Sequence, residues 1–162
     1  MRVWRLPADV DTDQLAPGAT MKFGIDVTAH HCLEALRPEF AAQVKPGDVI
    51  VAGANFGIGS SREQAASVLV HLGIAAVVAP SYNGLFFRNA FNVGLLLLTC
   101  PQAGLIDDAE TLTFDARTRR VTRTTPDRPL AVFECELIPD FLLDMVDAGG
   151  LLPQLKKRLE PH

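Results

Sequence analysis

Hydrophobic residues along the first hundred positions alternate between short continuous runs and stripes at helical spacing. Residues 48–52, 74–79 and 95–98 are short, largely apolar and bounded by turn residues, which is typical of buried strands. The segments 62–72 and 83–92 instead carry apolar residues three and four positions apart, which predicts a helix in each. The predicted order is strand, helix, strand, helix, strand, and it indicates an α/β fold.

The pattern changes after Pro101, because apolar and polar residues alternate in 111–114 and again in 120–123. This alternation predicts a hairpin with one solvated face, and a third strand is predicted at 130–137. Pro139 can open a helix, whose apolar face consists of Phe141, Leu142, Met145 and Val146. We therefore expect a single mixed α/β domain over residues 1–162, without repeats or a linker.

Charge and hydropathy argue against two kinds of partner. The formal net charge is −4, and the one basic cluster, at 156–158, is too short to indicate nucleic-acid binding. We expect that cluster to form the solvated last turn of a helix, where cations are favoured. No apolar stretch approaches the roughly 18 residues of a spanning helix, and the N-terminus has no signal-peptide pattern.

The cysteines indicate the redox compartment. Cys32, Cys100 and Cys135 form no CxxC pair, and their odd number leaves one thiol over in any disulfide scheme. A reducing environment is the simpler interpretation, so we expect a cytoplasmic protein.

Residues 53–64, Gly-Ala-Asn-Phe-Gly-Ile-Gly-Ser-Ser-Arg-Glu-Gln, form the strongest candidate site. Gly57 and Gly59 let the backbone approach a ligand closely, and the helix that follows offers unpaired N–H groups and the positive end of its dipole. Two hydroxyls and a planar cation follow directly, in Ser60, Ser61 and Arg62. Because a guanidinium matches a carboxylate or a phosphate, the segment predicts an anion site.

Other patterns limit what this anion site could be. Arg62 stands where a dinucleotide loop has its third glycine, and no Gly-Lys-Ser/Thr is present. Ser60 and Glu63 have the spacing of a capping box, so a purely structural role stays open. Because a capping box needs neither Ser61 nor Arg62, their presence favours a carboxylated substrate. A serine at a positive helix end could then act as a general base at carbon.

Two further clusters contain metal-binding residue types. Asp11 and Asp13 alone supply too few oxygen ligands for a hard cation, so an Asx-turn is the simpler prediction for 11–14. His30 and His31, followed by Cys32, point in different directions if they are helical and cannot surround one metal ion.

Whole strings of the chain resemble the small subunits of 3-isopropylmalate dehydratase and homoaconitase, which are equivalent to the swivelling C-terminal domain of aconitase. The similar strings occur in one order at 11–17, 55–63, 86–95 and 140–150. The resemblance implies a swivelling β/β/α domain of the aconitase C-terminal type, in which helices flank a mixed sheet.

The resemblance also implies roles for individual residues. In that family the Gly-Ser-Ser-Arg-Glu string supplies the catalytic base and an arginine for a substrate carboxylate, which correspond to Ser60 and Arg62. Ser61 would lend a hydrogen bond, and Thr12 and Asp13 would face the active site. The family's [4Fe-4S] cluster is bound by cysteines of the large subunit. We therefore expect this chain to bind no metal and to be inactive alone, which agrees with its scattered thiols.

The implied reaction is the dehydration and rehydration of a hydroxy di- or tricarboxylic acid by a hydro-lyase of two subunits. The leading substrate is 3-isopropylmalate, in leucine biosynthesis, with homoaconitate and 2,3-dimethylmalate as alternatives. Family members discriminate substrates with a loop after Pro17, where Met21 could meet an apolar branch and Lys22 a distal carboxylate. A noncatalytic carboxylate-binding module is the alternative from another class.

Overall fold

The protein contains a parallel sheet and an antiparallel sheet, seen in a computed structural model that describes residues 1–161. The parallel strands are β1 (Val3–Arg5), β2 (Val49–Val51), β3 (Ala76–Ala79) and β4 (Leu97–Thr99). They pair in sequence order, β1-β2-β3-β4. Every residue of β2 and β3 is buried, as is usual for parallel strands.

Short helices connect and flank these strands. They are α1 (Thr12–Leu15), α2 (Ile25–His30), α3 (Phe40–Gln43), α4 (Glu63–His71), α5 (Gly84–Asn92), α6 (Asp140–Ala148) and α7 (Leu151–Leu159), with 3-10 turns at Gly18–Phe23 and Ala103–Leu105. The crossover helices α4 and α5 pack against each other, and α1 and α2 pack against α4. No helix within residues 1–161 is long and apolar enough to cross a membrane.

The antiparallel sheet follows the parallel one in sequence. Its strands are β5 (Leu112–Asp115), β6 (Arg120–Arg123) and β7 (Ala131–Glu134), in the order β5-β6-β7. Leu112, Val121 and Phe133 are buried, whereas their neighbours in the strands are at least partly exposed. The hairpin, its solvated face and the third strand are therefore confirmed.

The two sheets are joined through the start of the chain. The Leu112 N–H donates to Met1 O (2.9 Å), and the Val3 N–H donates to Glu110 O (2.9 Å). The buried Glu110 carboxylate accepts the Asp107 N–H (2.9 Å) and forms an ion pair with Arg128. Charge at this junction is therefore compensated inside the protein.

All the elements predicted from residue 48 onward are confirmed, including the basic last turn of α7. The strand β1 and the helices α1, α2 and α3 were not predicted. The three helices have four to six residues each, too few to show helical spacing, and β1 is not part of a continuous apolar run.

The fold brings together two cysteines that are distant in sequence. The Glu136 N–H donates to Thr99 O (2.8 Å), which places the residues after β4 and β7 side by side. A hydrogen bond from the Cys135 thiol lowers the pKa of Cys100 to about 7, and the same contact raises the pKa of Cys135. Both thiols and that of Cys32 are free and buried.

Candidate active site

The candidate site lies at the carboxyl edge of the parallel sheet, where the chain leaves β1 and β2. Because these strands are parallel neighbours, the segments 6–12 and 52–59 that follow them run side by side. Their backbone hydrogen bonds include Leu6 N–H to Val51 O (2.8 Å), Asp9 N–H to Ala54 O (2.8 Å), Gly57 N–H to Val10 O (2.7 Å) and Thr12 N–H to Ile58 O (2.8 Å). This pairing places the Thr12-Asp13 motif against residues 53–59, the glycine loop.

Two glycines allow the loop to pack this closely. Gly57 has φ +84°, and a Cβ atom there would lie 2.2 Å from Phe86 Cγ. Gly59 has φ +101°, and a Cβ atom there would lie 3.2 Å from Thr12 Oγ1. Positive φ values favour glycine, so backbone conformation and close packing are enough to explain why both positions are glycine. Their role in approaching an anion stays a prediction.

A third loop, after β3, completes the edge. The Phe56 N–H donates to Ser81 O (3.2 Å), and the Asn83 N–H donates to Phe56 O (2.9 Å). The Asn83 side chain then caps α5 by accepting the Leu85 N–H at 3.0 Å. The cap fixes the first turn of α5, which holds Phe86 against Gly57.

Arg62 is held in an ion pair at this edge. Its Nη1 donates to Asp13 Oδ1 (2.8 Å) and to Ala16 O (3.0 Å). The Arg62 side chain is 24% exposed, whereas that of Asp13 is 69% exposed. Hydrogen bonds from Arg62 and from the Gly18 N–H lower the pKa of the Asp13 carboxyl, so Asp13 stays ionised. The two sequence motifs that the family resemblance singled out therefore meet through a charged contact.

The capping box predicted at Ser60 and Glu63 is wrong. The helix α4 begins at Glu63, its N-cap residue is Arg62, and no side chain caps it. Ser60 lies two residues before the cap, in a tight turn in which the Arg62 N–H donates to Ser60 O (2.8 Å). Extended backbone at Arg62 separates both serines from the helix axis, so dipole support for Ser60 is weaker than the sequence suggested. Ser60 and Ser61 are exposed.

A capping box does form at Asp11. The Asp11 carboxylate accepts the Gln14 N–H (2.8 Å), and the Gln14 side chain accepts the Asp11 N–H (3.0 Å). Both acids of 11–14 therefore have partners within the protein: Asp11 in the capping box and Asp13 in the ion pair with Arg62.

The three residues at 30–32, predicted from the sequence to be unable to surround one metal ion, have separate surroundings. His30 Nδ1 contacts Asp26 O (2.7 Å), His31 Nδ1 contacts the Glu34 carboxylate (2.8 Å), and Cys32 is buried. Throughout residues 1–161, no three His, Cys, Asp or Glu side chains are grouped as they would be around a metal ion.

The loop predicted to discriminate substrates forms the 3-10 turn Gly18–Phe23. Met21 is half-buried, and Lys22 is exposed with its ammonium 5.0 Å from the centre of the Phe23 ring. Thr20 anchors the turn by donating from Oγ1 to Pro17 O at 2.7 Å. Sequence reasoning missed Gly18, although it contacts the ion pair, because a glycine after a proline signals only a turn.

The chain matches a known family and is similar to proteins of known structure. Residues 18–103, more than half of the chain, match the Aconitase C-terminal domain family. A crystal structure of 3-isopropylmalate dehydratase from Methanocaldococcus jannaschii has a TM-score of 0.88 and 37% identity, over 97% of this chain and 92% of that one.

Two relatives are similar over almost their full length. The methanogen homoaconitase small subunit of Methanothermobacter thermautotrophicus is 39% identical over 98% of this chain and 91% of its own. The 3-isopropylmalate dehydratase small subunit 1 of Archaeoglobus fulgidus is 40% identical over 98% of both chains.

A parallel sheet with three loops converging at its carboxyl edge, an antiparallel extension and this family match define the swivelling domain of an aconitase-type protein. The chain belongs to the Aconitase C-terminal domain family. Within it, the chain groups with the small subunits of 3-isopropylmalate dehydratase and homoaconitase.

Proposed function

We propose that this chain is the small subunit of a heteromeric iron–sulfur hydro-lyase that isomerises 3-isopropylmalate by dehydration and rehydration. Family membership and full-length similarity support the hydro-lyase class and the small-subunit role. The buried, unpaired thiols fit a reducing compartment such as the cytoplasm.

One arrangement supports this function most directly. Exposed Ser60 and the partly buried Arg62 lie at the carboxyl edge of the sheet, beside the Thr12-Asp13 motif. A hydroxyl surrounded by water is too weak a base to remove a proton from carbon. The site therefore needs a second protein chain to cover it, which is what a large subunit provides.

In the closed complex each residue has a separate task. Ser60, in its alkoxide form, accepts the proton from the carbon next to the one that bears the hydroxyl, and the hydroxyl departs from that neighbouring carbon. Arg62 binds a carboxylate and fixes the orientation of the carbon that loses the proton, while Ser61 offers a hydroxyl for a hydrogen bond to the same substrate. Thr12, which was expected to face the active site, is buried next to Gly59 and supports the loop instead. Gly57 and Gly59 keep the loop backbone close enough for these contacts.

The cysteines of this chain do not fit an iron–sulfur cluster. Only Cys100 and Cys135 are neighbours, all three thiols are buried, and cluster binding by protein thiolates takes several cysteines together. The cluster therefore belongs to the large subunit, where it would supply Lewis-acid chemistry for departure of the hydroxyl.

The turn Gly18–Phe23 supports an apolar branch on the substrate. Met21 is the half-buried apolar side chain of that turn, while the Lys22 ammonium is stacked on the Phe23 ring and turned to solvent. Homoaconitate is the second candidate, because a homoaconitase small subunit is 39% identical to this chain.

The test is purification of the tagged chain from its own cells without oxygen, followed by assay of the pair. We expect a large iron–sulfur subunit to co-purify, and the reconstituted pair to turn over 3-isopropylmalate faster than homoaconitate, citrate or 2,3-dimethylmalate. Preference for homoaconitate would overturn the substrate assignment. Recovery of the chain alone would favour a noncatalytic carboxylate-binding module.

Arg62→Lys is expected to weaken substrate binding more than turnover in the reconstituted pair. A lysine ammonium that pairs with Asp13 has no planar fork left for a substrate carboxylate. Loss of charged hydrogen bonds worth about 1.5–3 kcal/mol raises KM by at least about tenfold. Steady-state kinetics measure this, with Arg117→Lys as a control, because Arg117 forms ion pairs on α6 instead. An unchanged KM in Arg62→Lys would contradict the carboxylate role.

A further inference from the structure

One carboxylate oxygen of the ion pair accepts hydrogen bonds from two different segments of the chain. Asp13 Oδ1 accepts two hydrogen bonds, one from Arg62 Nη1 (2.8 Å) and one from the Gly18 N–H (3.0 Å). Gly18 is the first residue of the turn that carries Met21 and Lys22. One oxygen atom therefore connects the arginine with the turn.

The same contacts determine which part of Arg62 can bind a ligand. Nη1 carries two hydrogens, and its two hydrogen bonds, to Asp13 Oδ1 and Ala16 O, use both. Within residues 1–161, Nε and Nη2 make no hydrogen bond. These two nitrogens share one edge of the planar group, and such an edge binds a carboxylate through two parallel hydrogen bonds.

Gly18 lies next to one nitrogen of this open edge. A Cβ atom at Gly18 would lie 3.5 Å from Arg62 Nη2, 3.7 Å from Arg62 Nη1 and 3.5 Å from Asp13 Oδ1, which are ordinary contact distances. The turn thus begins beside Nη2, one of the two nitrogens that would bind a carboxylate, so a movement of the turn changes the space next to the arginine.

We propose that Asp13 is a positioning residue with two effects. It orients the Nε–Nη2 edge of Arg62 toward the substrate carboxylate, and through the Gly18 N–H it holds the turn Gly18–Phe23 next to Arg62. Together these effects determine selectivity among hydroxy acids. This inference rests on the proposed function. It replaces direct substrate contact by Asp13, which the family resemblance implied, since Asp13 Oδ1 already accepts hydrogen bonds from Arg62 and Gly18. A second carboxylate next to the substrate's own would also repel it.

Two substitutions of Asp13 separate geometry from charge. Asparagine keeps an oxygen that can accept both hydrogen bonds, whereas alanine removes it. In the reconstituted pair, Asp13→Ala is expected to raise KM for 3-isopropylmalate about tenfold and to change the kcat/KM ratio between 3-isopropylmalate and homoaconitate, with a smaller effect on kcat. Asp13→Asn is expected to stay within about threefold of the unmodified pair in both quantities.

Asp147→Ala is the matched control. Like Asp13, the Asp147 side chain is 69% exposed and pairs with an arginine at 2.8 Å, in this case with Arg117 Nη2. Its loss therefore costs the protein a comparable surface contact. We expect this variant to leave KM and the substrate ratio unchanged. If Asp13→Ala behaves like Asp147→Ala, or if Asp13→Asn is as impaired as Asp13→Ala, the positioning role is wrong.

A measurement on the small subunit alone keeps this inference separate from the proposed function. Amide hydrogen exchange by NMR should show faster exchange at Gly18 in Asp13→Ala than in Asp13→Asn or the unmodified chain, because the acceptor of the Gly18 N–H is lost. Equal exchange in all three would overturn the tie between Asp13 and the turn. Faster exchange in the isolated Asp13→Ala subunit, combined with a reconstituted pair of unmodified chains that lacks hydro-lyase activity, would leave the link between Asp13 and the turn intact and overturn the proposed function instead.

Discussion

Ser60→Ala is expected to abolish turnover in the reconstituted pair while substrate affinity stays nearly unchanged. A general base contributes about 10²- to 10⁴-fold to the rate, and alanine has no group that can accept the proton. Ser60 is exposed, and its only described hydrogen bond is accepted by its backbone carbonyl, so removal of the hydroxyl should not disturb the fold. Steady-state kinetics, together with direct substrate binding measured by calorimetry, would show a loss confined to kcat.

Ser61→Ala provides the comparison within the same turn. Ser61 is also exposed, and it is assigned a hydrogen bond to substrate and no proton transfer, so its loss should raise KM by a few fold and leave most of kcat. Retention of full activity in Ser60→Ala would eliminate Ser60 as the base. A large loss of kcat in Ser61→Ala, combined with an unchanged kcat in Ser60→Ala, would assign the role of general base to Ser61.

Gly57→Ala is expected to produce the largest loss of stability among the loop positions. The new Cβ atom would lie 2.2 Å from Phe86 Cγ and 2.5 Å from Phe86 Cβ, at a residue with φ +84°. Phe86 is fixed by the capped first turn of α5 and is buried, so it has little room to move. Backbone strain and overpacking together cost about 2–5 kcal/mol of unfolding free energy.

The matched control is Gly84→Ala, two residues before Phe86. A Cβ atom at Gly84 meets nothing within 4 Å, and its φ lies in the ordinary range, so alanine should be neutral or stabilise by about 0.4–1 kcal/mol. Urea denaturation of the isolated chain, followed by circular dichroism, measures both variants. A Gly57→Ala chain as stable as Gly84→Ala would show that the loop does not pack as described.

Most of the secondary structure was predictable because two patterns are visible in the sequence itself. The helices α4, α5 and α6 carry apolar residues at helical spacing, and the strands β2, β3 and β4 lie in continuous apolar runs bounded by turn residues. The short elements before residue 48 show neither pattern, and their conformation depends on the segments they contact. Asp11 illustrates this, since its side chain starts a helix of four residues that is held against α4.

The capping box was predicted in the wrong place for a related reason. The spacing of Ser60 and Glu63 matches the motif as well as that of Asp11 and Gln14 does, but the motif requires the N-cap residue to start the helix. Gly59, at φ +101°, and the turn closed by the Arg62 N–H instead carry Ser60 outside the helix. Sequence spacing cannot report this, because it depends on how the loop packs against Thr12 and Phe86.

The α/β order of elements, the unpaired state expected of three cysteines and the glycine loop with Ser60 and Arg62 were all predictable from the residues in order. They follow from local periodicity, residue chemistry and whole-string resemblance. The pairing of Asp13 with Arg62, the position of Gly18 next to this pair and the contact between Cys100 and Cys135 became visible in the folded chain. Asp13 meets Arg62 because parallel strands bring the loops after them to one edge, and contacts between segments so distant in the chain leave no trace in local spacing.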